Sequence, residues 1–163
     1  MNLSWTNKQN YDEMLEYLYN FCTKHHIRVV NFTNQEIKNT LGHISNSVSD
    51  TSQVPSFSFP NTIYGFPCIF INLEYYKPLE IPFMVAHEIG HILEGNPDNF
   101  IYLHNGISQE ERQANLFAIN LIDSYASERN YHYSSIYQFA QCFNIPNKYY
   151  YLLTEVKHFN SIY

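Results

Sequence analysis

Apolar positions in the first part of the chain recur at helical spacing, then give way to short β-type runs. Tyr11, Met14, Leu15, Leu18, Tyr19 and Cys22 fall three and four residues apart, the stripe of an amphipathic helix over residues 11 to 22. Ile27 to Phe32 is rich in β-branched and aromatic residues and predicts a strand. Thr33 and Glu36 have the spacing of a capping box, and Gly42 closes the short helix they open. From His43 to Asn61 the chain is dominated by Ser, Asn, Thr and Pro, with Phe57 and Phe59 alternating with serines. This stretch reads as a long loop that includes a weak edge strand. Loops of that length in a compact domain are usually functional, and this one is a candidate gate.

Cys68 to Asn72 is the strongest strand pattern in the chain. Pro78 and Pro82 bracket the start of a helix over 80 to 94, because proline is tolerated in a first helical turn. Gly95-Asn96-Pro97 ends it, and a loop follows to residue 107. Ser108 and Glu111 form a second capping-box pattern, opening a helix to Ser124 with Leu116, Ala118, Ile119 and Ile122 on its apolar positions. Helical patterns at 135 to 143 and 146 to 159 complete the chain, the latter with Tyr149, Tyr150 and Tyr151 as packing residues. Few strands among many helices predict an α+β fold, with a short sheet packed against helices.

Composition narrows the picture. A chain of 163 residues predicts a single domain, 1–163. With 45% hydrophobic and only 15% charged residues, it is not a disordered chain. A net charge of −6 argues against direct nucleic acid binding. Cys22, Cys68 and Cys142 are odd in number and lack CxxC spacing, which excludes a disulfide framework and a thiolate zinc site. The polar amino terminus does not read as a signal peptide, and no run approaches the roughly 18 apolar residues of a membrane span. A cytoplasmic protein without membrane partners is expected.

The chemistry lies in His87-Glu88-Ile89-Gly90-His91, an HExxH motif inside the helix predicted over 80 to 94. Residues four apart share one helix face, so His87 and His91 can present two imidazoles to one metal ion. Glu88 is offset around the helix, placed to act on a water without being a ligand. This is the zincin arrangement, with zinc as Lewis acid and the carboxylate as general base. Phe83-Met84-Val85-Ala86 before the motif and Ile92-Leu93 after it continue a buried helix, where polar groups are costly unless paired or metal-bound.

A catalytic zinc needs a third protein ligand. Glu94 follows His91 too closely to approach from another side. His104 lies in the loop after the helix, but Glu94 and Pro97 stand where a HExxHxxGxxH pattern needs Gly and His. Glu111, on the next helix, can reach the metal if the two helices pack antiparallel, and Glu110 is its neighbouring rival. Around it the sequence reads ERQANLFA, Glu111 to Ala118. Glu111, Asn115 and Ala118 share a face. Asn115 can hydrogen-bond a ligating histidine, and Ala118 permits close helix approach.

HEIGH followed after a loop by ERQANLFA resembles the ImmA/IrrE metallopeptidases. The resemblance covers roughly residues 60 to 155, so 61–159 is read as a zincin core with further C-terminal helices and 1–60 as a poorly matched N-terminal part. It implies a small zincin-like domain in which a short sheet packs against the helix pair carrying HExxH and the third ligand. It implies that His87, His91 and Glu111 hold zinc and that Glu88 is the general base. Similar proteins are encoded on phages and mobile elements beside a helix-turn-helix repressor. The implied function is a zinc endopeptidase that cleaves or inactivates such a repressor, and the acidic balance suits a basic substrate. The alternative is a zinc-containing binding protein that sequesters the repressor without proteolysis. Asp123-Ser124-Tyr125 departs from the family, in which a further apolar residue and a Met-Pro stop are common. The oxyanion donor is left open among Tyr102, His104, Tyr125 and His132, and the strand 68–72 is a candidate edge for pairing an extended substrate.

Overall fold

The computed structural model describes residues 8–36, 39, 56–60, 65–95 and 109–156. Helix α1 spans Lys8–Lys24 and is followed by strand β1, Arg28–Phe32. Met14, Leu18 and Cys22 are the fully buried members of the predicted α1 stripe. The capping box after β1 forms as expected. The Thr33 amide donates to Glu36 Oε2 at 2.9 Å, and the Glu36 amide donates to Thr33 Oγ1 at 3.3 Å. The predicted Gly42 stop lies outside the described residues.

Strands β2, Ser56–Phe59, and β3, Cys68–Asn72, complete a three-stranded sheet in the order β1-β3-β2. β1 runs parallel to β3, with Arg28 opposite Cys68 and Phe32 opposite Asn72. β2 runs antiparallel to β3, with Ser56 opposite Ile71 and Phe59 opposite Cys68. The expectation that 68–72 offers an edge to a substrate is therefore corrected. β3 is paired on both sides, and its unbroken apolar run is that of a central strand. The weak edge strand read within 43–61 is β2; residues 43–55 and 61 lie outside the described residues.

The sheet has two unlike faces. Ile69 and Ile71 point into the main core with Phe83, Val85 and Ile89. Phe57, Phe59, Cys68 and Phe70 form a second cluster on the opposite face, with Val30 and Phe32 packed against it. There Phe57 stacks on Phe70 with centroids 4.9 Å apart. Period-two alternation thus sends the serines of Ser56-Phe57-Ser58-Phe59 to the main-core side.

A 3-10 turn at Pro78–Glu80 leads into helix α2, Ile81–Glu94. Pro82 sits in its first turn, where a missing amide proton costs nothing. Every residue from Ile81 to His91 is buried. Helix α3, Gln109–Glu128, packs along α2. It runs past the predicted end at Ser124 because Tyr125 and Ala126 continue its buried face. Asn130, at φ 56°, then turns the chain in the left-handed region that asparagine tolerates.

Helix α4 is Ile136–Cys142, capped by Ser135, whose hydroxyl accepts from the Gln138 amide at 3.1 Å. The last predicted helix is instead a 3-10 helix, Asn147–Glu155. Leu152, Leu153 and Val156 are its buried anchors. Among the described residues, no helix is long and apolar enough to cross a membrane.

Candidate metal centre

Two helices build the site. His87 and His91 lie one turn apart on α2, with exposures of 0% and 1%, and their rings meet edge-on with centroids 4.5 Å apart. Glu111, in the first turn of α3, faces both. Its Oε2 lies 3.3 Å from His87 Nε2 and its Oε1 lies 2.9 Å from His91 Nε2. One ligand atom from each of the three residues falls within 4.8 Å of the others.

The close approach of the helices has a local cause. A Cβ on Gly90 would stand 3.0 Å from both Ala114 Cα and its carbonyl oxygen, and 3.1 Å from Phe117 Cβ. No side chain fits there without moving the α3 backbone. Gly90, between the two histidines, is the point of contact that brings Glu111 to them. Ala118, one turn further along the same helix, is fully buried, and the contact at the glycine itself falls on Ala114.

The arrangement of donor atoms suits a cation. His87 Nδ1 lies 2.7 Å from Asn115 Oδ1, one turn beyond Glu111 on α3. The amide oxygen accepts, so Nδ1 is the donor and Nε2 is turned toward Glu111. Nε2 and a carboxylate oxygen 3.3 Å apart can share a cation between them. Tetrahedral zinc with bonds of about 2.0–2.1 Å holds its ligand atoms at about this spacing, and nitrogen and carboxylate donors are the set it takes. The residues therefore fit a divalent metal, zinc in particular.

Glu88 is fully buried beside His87. Its Oε1 accepts a hydrogen bond from the Ser56 hydroxyl at 3.0 Å. Ser56 is a site residue that sequence reading missed. It lies far upstream in a serine-rich run, and only its alternation with Phe57 and Phe59 hinted at a face.

The other candidates fall elsewhere. Glu94 is exposed at the end of α2, and neither it nor Glu110 joins the three-residue cluster. Ser108, Tyr102 and His104 lie outside the described residues. Tyr125 is buried in the core, edge-on to Tyr17 and Phe143. Burial pushes its hydroxyl up to about 12, and the Arg129 guanidinium lies 3.8 Å from its ring centre. His132 is exposed in the turn after α3. Tyr149, assigned to packing, stacks on Phe83 at 5.4 Å, one turn before His87. Burial raises its hydroxyl above the ordinary value, and the charge of Glu111 adds to the effect. A separate cavity of about 690 Å³ opens beside it, walled by Tyr75, Tyr76, Lys77 and Met84, and no residue of the metal cluster lines it.

A small α+β domain that buries an HExxH helix against a glutamate from the next helix is a metallopeptidase scaffold. The sequence pattern of the IrrE N-terminal-like domain of peptidase family M78 matches residues 22–157, and the chain belongs to that family. The match reaches back to α1, well before the motifs that carry the resemblance. No curated protein and no solved structure matches the chain significantly.

Proposed function

We propose that the protein is a zinc-dependent endopeptidase whose substrate is a helix-turn-helix repressor of a phage or mobile element, acting in the cytoplasm. The observation that carries the enzymatic reading is the convergence of His87, His91 and Glu111, with Glu88 buried alongside. The repressor rests on the resemblance of HEIGH and ERQANLFA to the ImmA/IrrE proteins.

His87, His91 and Glu111 would hold the ion, and Asn115 would fix the ring of His87. Bound there, zinc supplies Lewis acidity toward water and the scissile carbonyl. Glu88 takes the proton of the attacking water and returns it to the leaving amine nitrogen. Burial at 0% exposure keeps that carboxylate away from bulk water and strengthens its interactions. Among the described residues β2, which carries Ser56, is the edge of the sheet nearest the general base.

Coexpression with candidate repressors, followed by mass spectrometry of fragments, tests the proposal. Wild-type protein is expected to yield discrete repressor fragments. Glu88→Gln is expected to keep the metal and lose about 10²–10⁴-fold in cleavage rate. Repressor inactivation that survives Glu88→Gln with metal bound would instead establish sequestration without proteolysis.

A further inference from the structure

We propose that Ser56 is the positioning residue of the general base, so that the edge strand β2 sets the orientation of Glu88. The inference rests on the metallopeptidase reading above and adds to it a residue from outside both motifs.

Three observations converge. Ser56 and Glu88 are both at 0% exposure, and the hydroxyl donates to Oε1 at 3.0 Å. A hydroxyl buried this deeply is not placed for solubility, and here its partner is a carboxylate. The strand pattern then shows that the position is selective. Ser56 and Ser58 occupy the same face of β2, opposite Ile71 and Ile69 of β3. Ser58 is equally buried, yet its Oγ has no hydrogen-bond partner among the described residues. Only the first of two otherwise equivalent serines meets the carboxylate.

The physical consequence concerns the terminal torsion of Glu88, which is broad and roughly two-fold for a glutamate carboxylate. A hydrogen bond on Oε1, charge-assisted and buried, restrains the rotation of that plane. The anchor comes from β2 rather than from α2 itself. A shift of β2 therefore shifts the base.

The test compares Ser56→Ala, Ser56→Thr, Ser58→Ala and Glu88→Gln with wild type in the full-length, cobalt(II)-loaded protein. The probe is acetohydroxamate, followed by the visible absorption of cobalt. A hydroxamate presents its hydroxyl to the general base, so its affinity reads the placement of Glu88 without any peptide substrate. Glu88→Gln and Ser56→Ala are each expected to weaken acetohydroxamate about tenfold, in keeping with the loss of a group that orients a metal site. Ser56→Thr, which keeps the hydroxyl, and Ser58→Ala, which removes the partnerless one, are expected to stay within about twofold of wild type.

Wild-type affinity in Ser56→Ala beside a weakened Glu88→Gln would overturn the proposal. So would equal weakening by Ser58→Ala and Ser56→Ala, which would reduce the effect to packing. Failure of the wild-type protein to take up cobalt would remove the metallopeptidase reading and this inference together. That failure appears in the wild-type arm alone and is distinct from the other two.

Discussion

The two faces of the sheet are built from the same three strands and follow different rules. Toward α2, β2 and β3 present Ser56, Ser58, Ile69 and Ile71, and one of these side chains holds a carboxylate. Away from α2, they present Phe57, Phe59, Cys68 and Phe70, a cluster of rings with no polar demand. Phe70 meets Phe32 at 4.9 Å, Phe57 at 4.9 Å and Phe59 at 5.2 Å. Ring packing tolerates many geometries within its preferred centroid range, whereas a buried hydrogen bond to a carboxylate tolerates few. The far face is packing alone; the near face joins the main core and adds to that packing a buried hydrogen bond.

That division can be broken by experiment. The largest effect is expected from Phe70→Ala, which empties the centre of the ring cluster. Urea unfolding should show a loss of about 3–5 kcal/mol. The variant that remains folded should bind metal as wild type does, and a parallel loss of metal affinity would show that the two faces are coupled. Asn115→Ala should behave in the opposite way. Competition with a metal chelator is expected to show affinity lowered about 10–100-fold, with a smaller change in unfolding.

Gly90→Ala probes the line where the site meets the fold. Its Cβ would meet backbone at 3.0 Å, so α3 must shift. Overpacking of this kind costs about 1–3 kcal/mol, and the same shift should weaken metal binding because Glu111 moves with α3. A variant destabilised with intact metal affinity would place the site's precision elsewhere.

The smallest expected effect is on pH dependence, through two thiols. Burial pushes Cys22 up from 9.0 to about 12 and Cys68 up from 9.0 to about 11. A folded-state value above the unfolded one contributes stability that is complete below about pH 9 and is lost as pH rises toward the folded value. Stability should therefore decline from about pH 9 toward 12, joined above pH 10 by the tyrosines Tyr11, Tyr75, Tyr125 and Tyr133, whose hydroxyls burial also raises. Cys22→Ala should flatten part of that decline, as pH-dependent denaturant titrations would show.

What was legible in the sequence follows the range of each signal. His87, Glu88 and His91 are spaced by one helical turn, so their relation is local and readable. Glu111 and Asn115 are likewise one turn apart, which made their shared face readable before their partner helix was in view. The meeting of α2 with α3 depends on Gly90 against Ala114, a contact between helices that no local pattern prints. Ser56 is separated from Glu88 by 32 residues and belongs to a stretch whose composition reads as loop. The central position of β3 depends on parallel pairing with β1 and antiparallel pairing with β2, both long-range. Over nine residues a period of 3.0 is hard to tell from 3.6, so the 3-10 helix Asn147–Glu155 reads as an ordinary helix.

The division of the candidate ligands between α2 and α3 also bears on how the chain is tied together. Cys22, Cys68 and Cys142 are all free thiols, so no covalent bond closes any loop of the described structure. An ion shared by His87, His91 and Glu111 would cross-link two helices across the chain that separates them. Because the site exists only when the helices are packed, the free energy of binding the ion adds to the stability of the fold. The ion would then be a rivet as well as a reagent, with its loss felt first at the amino-terminal end of α3.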